Sequence, residues 1–253
     1  MIKIEGEGLV LVEVDGLTKV FKNIRAVDNL SFRVEEGEIY GLLGENGAGK
    51  TTTLRMLATM LKPTNGTAII NGRDLIKEPE EIRKEVGILF GGESGLYDRL
   101  TARENILYFA ELHDMDKKEA NKKIDILARK FDMMEFIDRL AAKLSKGMKQ
   151  KVAILRSIIH DPKVMLFDEP TSGLDVGSVR EVHDFIRFCK EEGKTIIFSS
   201  HSMSEVEKLC DKIGIIHKGK LIEEGTIEGL KEKYKTDNLE ELFMELVGEK
   251  IEV

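Results

Sequence analysis

The glycine-rich run at residues 44–51 carries groups suited to binding phosphate. Its glycines let the backbone curl with N–H groups pointing inward, and a helix that begins there presents its positive end to the same anion. Lys50 is expected to reach the β- and γ-phosphates of a nucleotide, and Thr51 is expected to place its hydroxyl on Mg²⁺. The nucleotide-binding residues predicted here are Gly44, Glu45, Asn46, Gly47, Ala48, Gly49, Lys50, Thr51 and Thr52.

An acidic pair, Asp168 and Glu169, directly follows the apolar run at residues 164–167. Asp168 is expected at the carboxyl edge of a sheet, where the phosphate loop also opens, and is predicted to be the acid on the metal side. Glu169 is then free to polarise an attacking water, so the two carboxylates have different roles. An Asp-Glu pair alone is usually a solvated turn, but the apolar strand and the upstream phosphate loop favour the functional interpretation.

Two more places in the chain each have two interpretations. Ser145 and Gly147 stand before a helical run, where a hydroxyl and backbone amides meet a positive helix end. They are candidates for a second anion site, and a simple N-cap by Ser145 is the alternative. His201 follows an apolar strand-like run and precedes Ser202 and Glu205, which have the spacing of a capping box. Its position suits a γ-phosphate contact, and a structural role in the loop is the alternative.

Strands and helices at predictable places must position these side chains. Residues 9–14 and 30–34 alternate apolar and polar side chains, which predicts half-buried strands at an antiparallel edge. The apolar run at residues 38–43 precedes the glycine loop, and residues 49–61 have helical spacing. This strand-to-helix context favours a phosphate site over an ordinary glycine-rich turn.

The second half of the chain alternates strand-like and helical runs, which implies a largely parallel sheet covered by helices on both faces. The predicted strands are residues 164–167, 195–198 and 213–217, and the predicted helices are residues 178–190 and 203–209.

A helical insert is predicted at about residues 92–160, where Thr101 and Glu104 form a capping box and residues 116–131 are amphipathic. The expected fold is α/β, a P-loop NTPase (RecA-like) core with an N-terminal antiparallel β edge and an inserted α-helical subdomain. Residues 1–225 are predicted to form this domain, and residues 226–253 a small helical tail with short helices at 227–234 and 239–246.

Length and composition limit the possible functions. The 253 residues suit one large α/β domain, and the formal charge of -7 argues against nucleic acid as the main partner. No apolar run approaches the roughly 20 residues needed to span a bilayer, so a membrane role is expected to come through a partner. Cys189 and Cys210 are too few and too far apart for a disulfide framework or a zinc site.

With these residues in place, the chain resembles the nucleotide-binding subunit of an ATP-binding cassette (ABC) transporter over about residues 9–225. His201 resembles the switch histidine of that family. Phe21 resembles the aromatic residue on which adenine stacks, and a core aromatic is the equally open alternative. The matching motifs are Walker A at residues 44–51, the signature loop at 144–148, Walker B at 164–169 and the D-loop at 172–175.

The resemblance implies a head-to-tail dimer, with a second copy of the chain or with a related cassette. This dimer sandwiches ATP between the phosphate loop of one chain and Ser145 and Gly147 of the other. The resemblance also implies that Asp175 carries communication across this interface and that the helical insert docks on an integral membrane subunit. The implied location is cytoplasmic, peripheral on the inner face of the cell membrane, and the expected cofactors are ATP and Mg²⁺. The catalytic residues expected are Lys50, Glu169 and His201, and the metal-side residues are Thr51 and Asp168.

The chain departs from the family pattern at two places. Lys146 stands where the signature usually has a glycine, and Met148 replaces the usual glutamine. The metal-contacting glutamine that follows the strand at residues 86–90 in the family is absent, and residues 91–93, Gly-Gly-Glu, stand there instead. Both variants, with the tail at residues 239–243, resemble the exporter cassettes of drug and sodium efflux systems.

The favoured function is therefore an ATPase subunit that drives export through a separate membrane subunit. A soluble cassette ATPase of a non-transport machine is the alternative, although translation types usually carry two cassettes and repair types a long coiled-coil insertion, neither of which is visible in the sequence. A P-loop metabolite kinase leaves the signature and D-loop unexplained. An importer cassette also stays open.

Overall fold

Two β-sheets with helices packed around them form the protein, in a computed structural model that describes residues 9–90 and 95–248. The elements of the first 90 residues are β1 (Val10–Phe21), β2 (Ile24–Glu35), β3 (Ile39–Leu43), α1 (Lys50–Leu57), β4 (Asn65–Ile70), β5 (Arg73–Asp74), α2 (Pro79–Glu85) and β6 (Val86–Phe90). Those that follow are α3 (Ala102–Leu112), α4 (Lys117–Lys130), α5 (Lys146–Ile158), β7 (Val164–Asp168), α6 (Val176–Glu191), β8 (Thr195–Ser200), α7 (Met203–Leu209), β9 (Lys212–His217), β10 (Lys220–Thr226), α8 (Ile227–Tyr234) and α9 (Leu239–Val247).

The larger sheet has the strand order β10-β9-β3-β8-β7-β6. The strands from β9 to β6 in this order pair in parallel, whereas β10 pairs antiparallel with β9. Every residue of β3, β7 and β8 is buried, as expected for short apolar runs covered on both faces. Because parallel strands end at the same edge, the segments after β3, β7 and β8 meet there.

The smaller sheet is antiparallel, with the order β2-β1-β4-β5. Strands β1 and β2 confirm the predicted N-terminal β edge but are longer than the sequence pattern indicated. Register shifts on both sides of Leu17 interrupt the alternation of buried and exposed side chains, so pattern alone located only part of each strand. Strand β4 was not predicted, because it begins with the exposed residues Asn65 and Gly66 and depends on pairing with β1.

Helices α3, α4 and α5 occupy the region predicted to be a helical insert. Thr101 caps α3 in a complete capping box with Glu104, as predicted, and Asp116 caps α4 through the backbone N–H groups of Lys118 and Glu119. The apolar faces of these helices belong to the same hydrophobic core as one face of the parallel sheet. The limits of the insert and of residues 1–225 as a domain stay predictions.

Two stacked histidine rings join the end of α3 to the loop after α5. The ring centroids of His113 and His160 lie 3.7 Å apart at an interplanar angle of 7°. Burial lowers the pKa of His160 to about 4, with a further contribution from His113, whose own pKa is also lowered by burial. Both rings are therefore neutral near pH 7, which removes the charge repulsion that would otherwise oppose stacking.

The capping box predicted at the start of α7 is wrong. No side-chain hydrogen bond from Ser202 caps the helix, and Glu205 is buried instead against His183 and Ser200. Burial alone would raise the pKa of Glu205, but hydrogen bonds from His183, Thr171 and Ser200 outweigh it and lower that pKa. The carboxylate turns inward because α6 brings His183 to it and β8 brings Ser200.

Candidate functional site

The phosphate loop connects β3 to α1 at the carboxyl edge of the parallel sheet. A Cβ on Gly44 would lie 2.3 Å from the carbonyl oxygen of Ile216, and one on Gly49 would lie 2.6 Å from that of Ala26. Gly49 also has a φ of 112°, in the left-handed region that favours glycine. No acidic residue occupies the first turn of α1 and no side chain caps it, so its positive end faces the loop.

Lys50 lies inside the phosphate loop. Its side chain is only 4% exposed, and Nζ donates hydrogen bonds to the carbonyl oxygens of Gly44 at 2.7 Å and Glu45 at 3.0 Å. Nζ also lies 3.7 Å from Oε1 of Glu169. Burial lowers the pKa of Lys50, while the carboxylates of Glu169 and Asp168 act in the opposite direction. The ammonium is thus held at the point where the loop and the acidic pair meet.

Thr51 and Asp168 come together as predicted, although 117 residues separate them. The Thr51 hydroxyl donates to Oδ1 of Asp168 at 2.9 Å. Ser199 also donates its hydroxyl to this oxygen, at 2.6 Å, because β7 and β8 pair Asp168 with Ser199. Sequence reasoning missed Ser199, and the signal for it was the pair of serines that ends the apolar run of β8.

Glu169 has an unusual backbone conformation, with a φ of 45°. A bulky residue in this region is strained by about 1–3 kcal/mol, so the surroundings must hold it there. Its N–H lies 3.1 Å from the Ser199 hydroxyl and 3.2 Å from the Ser199 carbonyl oxygen, both of which accept from it. Its Oε1 lies 3.2 Å from Nδ1 of His201 and near Lys50. Three predicted catalytic residues therefore converge at one carboxylate.

Ser145 and Gly147 lie at the N-terminus of α5, apart from this cluster. Ser145 is the N-cap, and its hydroxyl accepts a hydrogen bond from the N–H of Met148 at 3.3 Å. In the described parts of the chain, every hydrogen bond of Ser145 is made within this helix start. The N-cap interpretation is thus confirmed, while a second anion site at the same helix end stays a prediction.

Phe21, at the end of β1, is exposed over 43% of its surface. The Nζ of Lys19 lies 5.1 Å from the centre of its ring. The core aromatic interpretation of Phe21 is therefore wrong, since a core side chain would be buried. Stacking of adenine on Phe21 stays a prediction.

A family model described as ABC transporter matches residues 27–172, which include the phosphate loop, the N-terminus of α5 and the acidic pair. The chain belongs to the ABC transporter family. The ABC transporter ATP-binding protein NatA of Bacillus subtilis (strain 168) is 48% identical to it over 223 residues, 88% of this chain and 91% of NatA. The bacitracin transport ATP-binding protein BcrA of Bacillus licheniformis is 41% identical over 224 residues, covering 88% of this chain and 72% of BcrA.

A solved structure of an ABC ATP-binding cassette has the same fold, with a TM-score of 0.78 and 26% identity over 85% of this chain and 98% of the other. That structure is a dimer in a post-hydrolysis state bound to ADP and Pi. The predictions of a P-loop NTPase fold and of an ABC transporter ATP-binding subunit with ATPase activity are confirmed. Membership of this family excludes the metabolite kinase.

Two further predictions for this ABC subunit concerned the family glutamine and the absence of a membrane span. Residues 91–93, which stand where the family has a glutamine, lie outside the described residues. Across the two described ranges, no helix is both long enough and apolar enough to cross a membrane.

Proposed function

We propose that two copies of this chain bind MgATP head to tail and hydrolyse it to drive export through a separate membrane subunit. The observation that carries the proposal is the convergence of Lys50, Glu169 and His201 at one carboxylate oxygen, beside the Thr51–Asp168 pair. This arrangement brings a phosphate-binding cation, a base and a hydrogen-bond partner for that base to one edge of the sheet. Such a set suits hydrolysis of a terminal phosphate.

The residues at the start of α1 and at the end of β7 fit a magnesium nucleotide. Thr51 and Asp168 offer a hydroxyl and a carboxylate oxygen only 2.9 Å apart, and hard oxygen ligands are those that Mg²⁺ prefers. When bound, Mg²⁺ would neutralise charge on the β- and γ-phosphates. Ser199 holds the Asp168 carboxylate in place through its hydroxyl. The exposed ring of Phe21 supplies a surface on which adenine can stack.

Hydrolysis follows from the chain's own groups. Lys50 exchanges its bonds to the loop carbonyls for the phosphate oxygens, and the loop amides bind the same anion. Glu169 accepts a proton from the attacking water through its carboxylate oxygens. His201 lies 3.2 Å from that carboxylate, and in this proposal it holds both the base and the γ-phosphate.

The dimer accounts for the residues that do not join this cluster. Ser145 and Gly147 present a hydroxyl and backbone amides at the positive end of α5, yet they contact no part of their own phosphate loop in the described residues. Val176, beside the D-loop, is 89% exposed and would be covered by a second copy in this arrangement. In the proposed dimer, the ATP bound by a second copy would contact Ser145 and Gly147.

Mixed dimers test this arrangement. A Ser145→Arg chain combined with a Lys50→Ala chain keeps one intact composite site, formed by the phosphate loop of the first chain and the helix end of the second. We expect this dimer, isolated through two different affinity tags, to retain about half of the wild-type ATPase rate if the sites act independently, and each homodimer to be nearly inactive. Both homodimers serve as controls for the two substitutions.

Complete inactivity of a properly mixed and folded dimer would refute the shared site. Undiminished turnover of either homodimer would equally refute it, because each variant removes one half of both sites.

A cleft of about 410 Å³ is a suitable surface for the membrane subunit. It lies between α2 and β6 on one side and α3 and α5 on the other, so it joins the sheet to the helical segment. Leu112 lines it and is 61% exposed, and Arg83, Lys84 and Arg156 also line it. An apolar helix end flanked by cations suits a cytoplasmic segment of a membrane protein. This docking would place the chain at the inner face of the cell membrane.

Replacing Leu112 with glutamate is expected to remove the membrane subunit from the purified complex while leaving the basal ATPase rate within about twofold of wild type. The reason is that a charge in an apolar contact costs several kcal/mol, whereas the nucleotide residues lie elsewhere. Ile126→Glu, on the exposed face of α4 at 56% exposure, is the matched control. The measurement is co-purification of integral membrane proteins with tagged chain from its own cells.

Two outcomes would contradict this proposal. Equal recovery of the membrane subunit with Leu112→Glu and with wild type would remove this cleft as the docking surface. Recovery of a ribosome or a DNA-repair assembly, with no membrane protein, would favour the soluble non-transport machine. The name of BcrA refers to bacitracin transport and supports a role in transport. The cargo of this chain is not specified by its own residues.

A further inference from the structure

Lys146 occupies an unusual place for a cation. It is the first residue of α5, directly after the N-cap Ser145, and the first turn of this helix contains no acidic residue. A positive charge here is opposed by the positive end of the helix dipole, an effect of about 0.3–1 kcal/mol at an exposed site. Compensation for this cost must come from the contacts of the Lys146 ammonium.

The ammonium of Lys146 bonds to the D-loop of the same chain. Nζ donates to the carbonyl oxygen of Gly173 at 2.8 Å and to that of Ser172 at 3.3 Å. Gly173 has a φ of 67°, and a Cβ at this position would lie 2.3 Å from Nζ. Glycine is thus needed here both for the backbone conformation and for the approach of the lysine.

The same face of α5 makes a second contact with this segment. Gln150, one helical turn after Lys146, donates through Nε2 to the carbonyl oxygen of Pro170 at 2.6 Å. The D-loop turn itself starts at the catalytic residue, since the N–H of Ser172 donates to the carbonyl oxygen of Glu169 at 3.1 Å. The first two turns of α5 are therefore fastened to the backbone that carries Glu169.

We propose that Lys146 is a positioning residue that links the two composite ATP sites through the D-loop of its own chain. Ser145 and Gly147, at the same helix end, serve the partner's ATP, while Glu169 serves the chain's own ATP. A bond from Lys146 to Ser172 and Gly173 makes these two groups move as one unit. This inference rests on the proposed head-to-tail dimer.

A direct contact between Lys146 and the partner's γ-phosphate is the competing role for the same side chain. The two roles differ in the site they affect. A phosphate contact acts on the partner's ATP, whereas the bond to the D-loop acts on the Glu169 of the same chain.

In the full-length homodimer, Lys146→Met is expected to lower kcat for ATP about tenfold, with KM changed by less than about twofold. Methionine keeps most of the stem and removes the donors, while the nucleotide-binding loop is untouched. Lys146→Arg keeps donors of similar reach and is expected to restore at least about half of the rate. Lys149→Met is the matched control and is expected to have wild-type kinetics. In the wild-type chain, the ammonium of Lys149 donates to Asp98 at 3.2 Å.

Hydrogen exchange provides a readout that does not depend on turnover. The amides of Ser172 and Leu174 close the D-loop turn, and both are expected to exchange faster in Lys146→Met than in wild type and Lys149→Met. Unchanged exchange of both amides would overturn the bond to the D-loop as a constraint.

Mixed dimers decide between the two roles. In the dimer of a Ser145→Arg chain with a Lys50→Ala chain, only the first chain supplies Glu169 to the intact site, and only the second supplies the helix end. Adding Lys146→Met to the first chain is expected to lower turnover about fivefold or more, because its D-loop is released. Loss of activity only when Lys146→Met is in the second chain would overturn the proposal in favour of a phosphate contact.

The mixed dimers and the hydrogen exchange together distinguish a failure of this inference from a failure of the dimer on which it rests. An inactive mixed dimer without any change at Lys146 would refute the shared site, whereas the exchange of Ser172 and Leu174 would still decide whether Lys146 restrains the D-loop.

Discussion

Glu169→Gln is expected to lower steady-state ATP hydrolysis by a factor of about 10²–10⁴, the usual contribution of a general base, while MgATP still binds. The amide cannot accept the proton of the attacking water, but it keeps the size of the carboxylate. Because Lys50, Thr51 and Asp168 are unchanged, nucleotide affinity depends on groups that the substitution leaves in place. The measurement is phosphate release under saturating ATP, with ATP binding followed separately.

The same variant is expected to accumulate as an ATP-dependent dimer, visible as an earlier peak in size-exclusion chromatography. In the proposed dimer, hydrolysis is the step that opens the sandwich, so blocking it is expected to trap the closed form. Glu181→Gln is the matched control, since Glu181 pairs with Lys151 on the surface of α6 and lies away from the nucleotide. Near-normal turnover by Glu169→Gln would remove Glu169 as the base.

Lys50→Ala is expected to weaken ATP binding by about 10²-fold and to remove measurable hydrolysis. Charge-assisted hydrogen bonds contribute about 1.5–3 kcal/mol each, and Lys50 is expected to contact two phosphates. Its ammonium is buried in the loop, where it bonds to the carbonyl oxygen of Gly44 at 2.7 Å. Calorimetric titration with ATP measures the loss of affinity.

The control for this variant must separate binding from folding. Lys62→Ala removes an exposed lysine beyond the end of α1 and is expected to bind ATP as wild type does. A thermal melt of Lys50→Ala shows whether the loop still folds, because the carbonyl groups of Gly44 and Glu45 lose their donor. ATP turnover equal to wild type in a folded Lys50→Ala chain would refute the role of Lys50.

The local sequence was sufficient to predict the phosphate loop, the acidic pair and the elements around them. Gly44, Gly47 and Gly49 permit a backbone that other residues would strain, and an apolar run before the loop indicates a buried strand. Asp168 follows such a run as well, so the carboxyl edge of a parallel sheet had to bring it near Thr51. These predictions rest on interactions within a few residues or on the common direction of parallel strands.

Other predictions were limited because local spacing does not show what a side chain meets across the fold. Ser202 and Glu205 have the spacing of a capping box, yet Glu205 finds His183, 22 residues away, and turns inward. Phe21 fitted both a core and a stacking role, and only its exposed position at the end of β1 removed the first.

The sequence by itself therefore determined the family, the fold class and the positions of the phosphate loop and the acidic pair, because motifs of this kind encode backbone geometry and charge locally. Tertiary structure alone placed Ser199 on the Asp168 carboxylate and fastened Lys146 to the carbonyl groups of Ser172 and Gly173. The physical reason is that a hydrogen bond depends on distance and direction, and residues 26 to 31 positions apart acquire these only when strands and helices have packed.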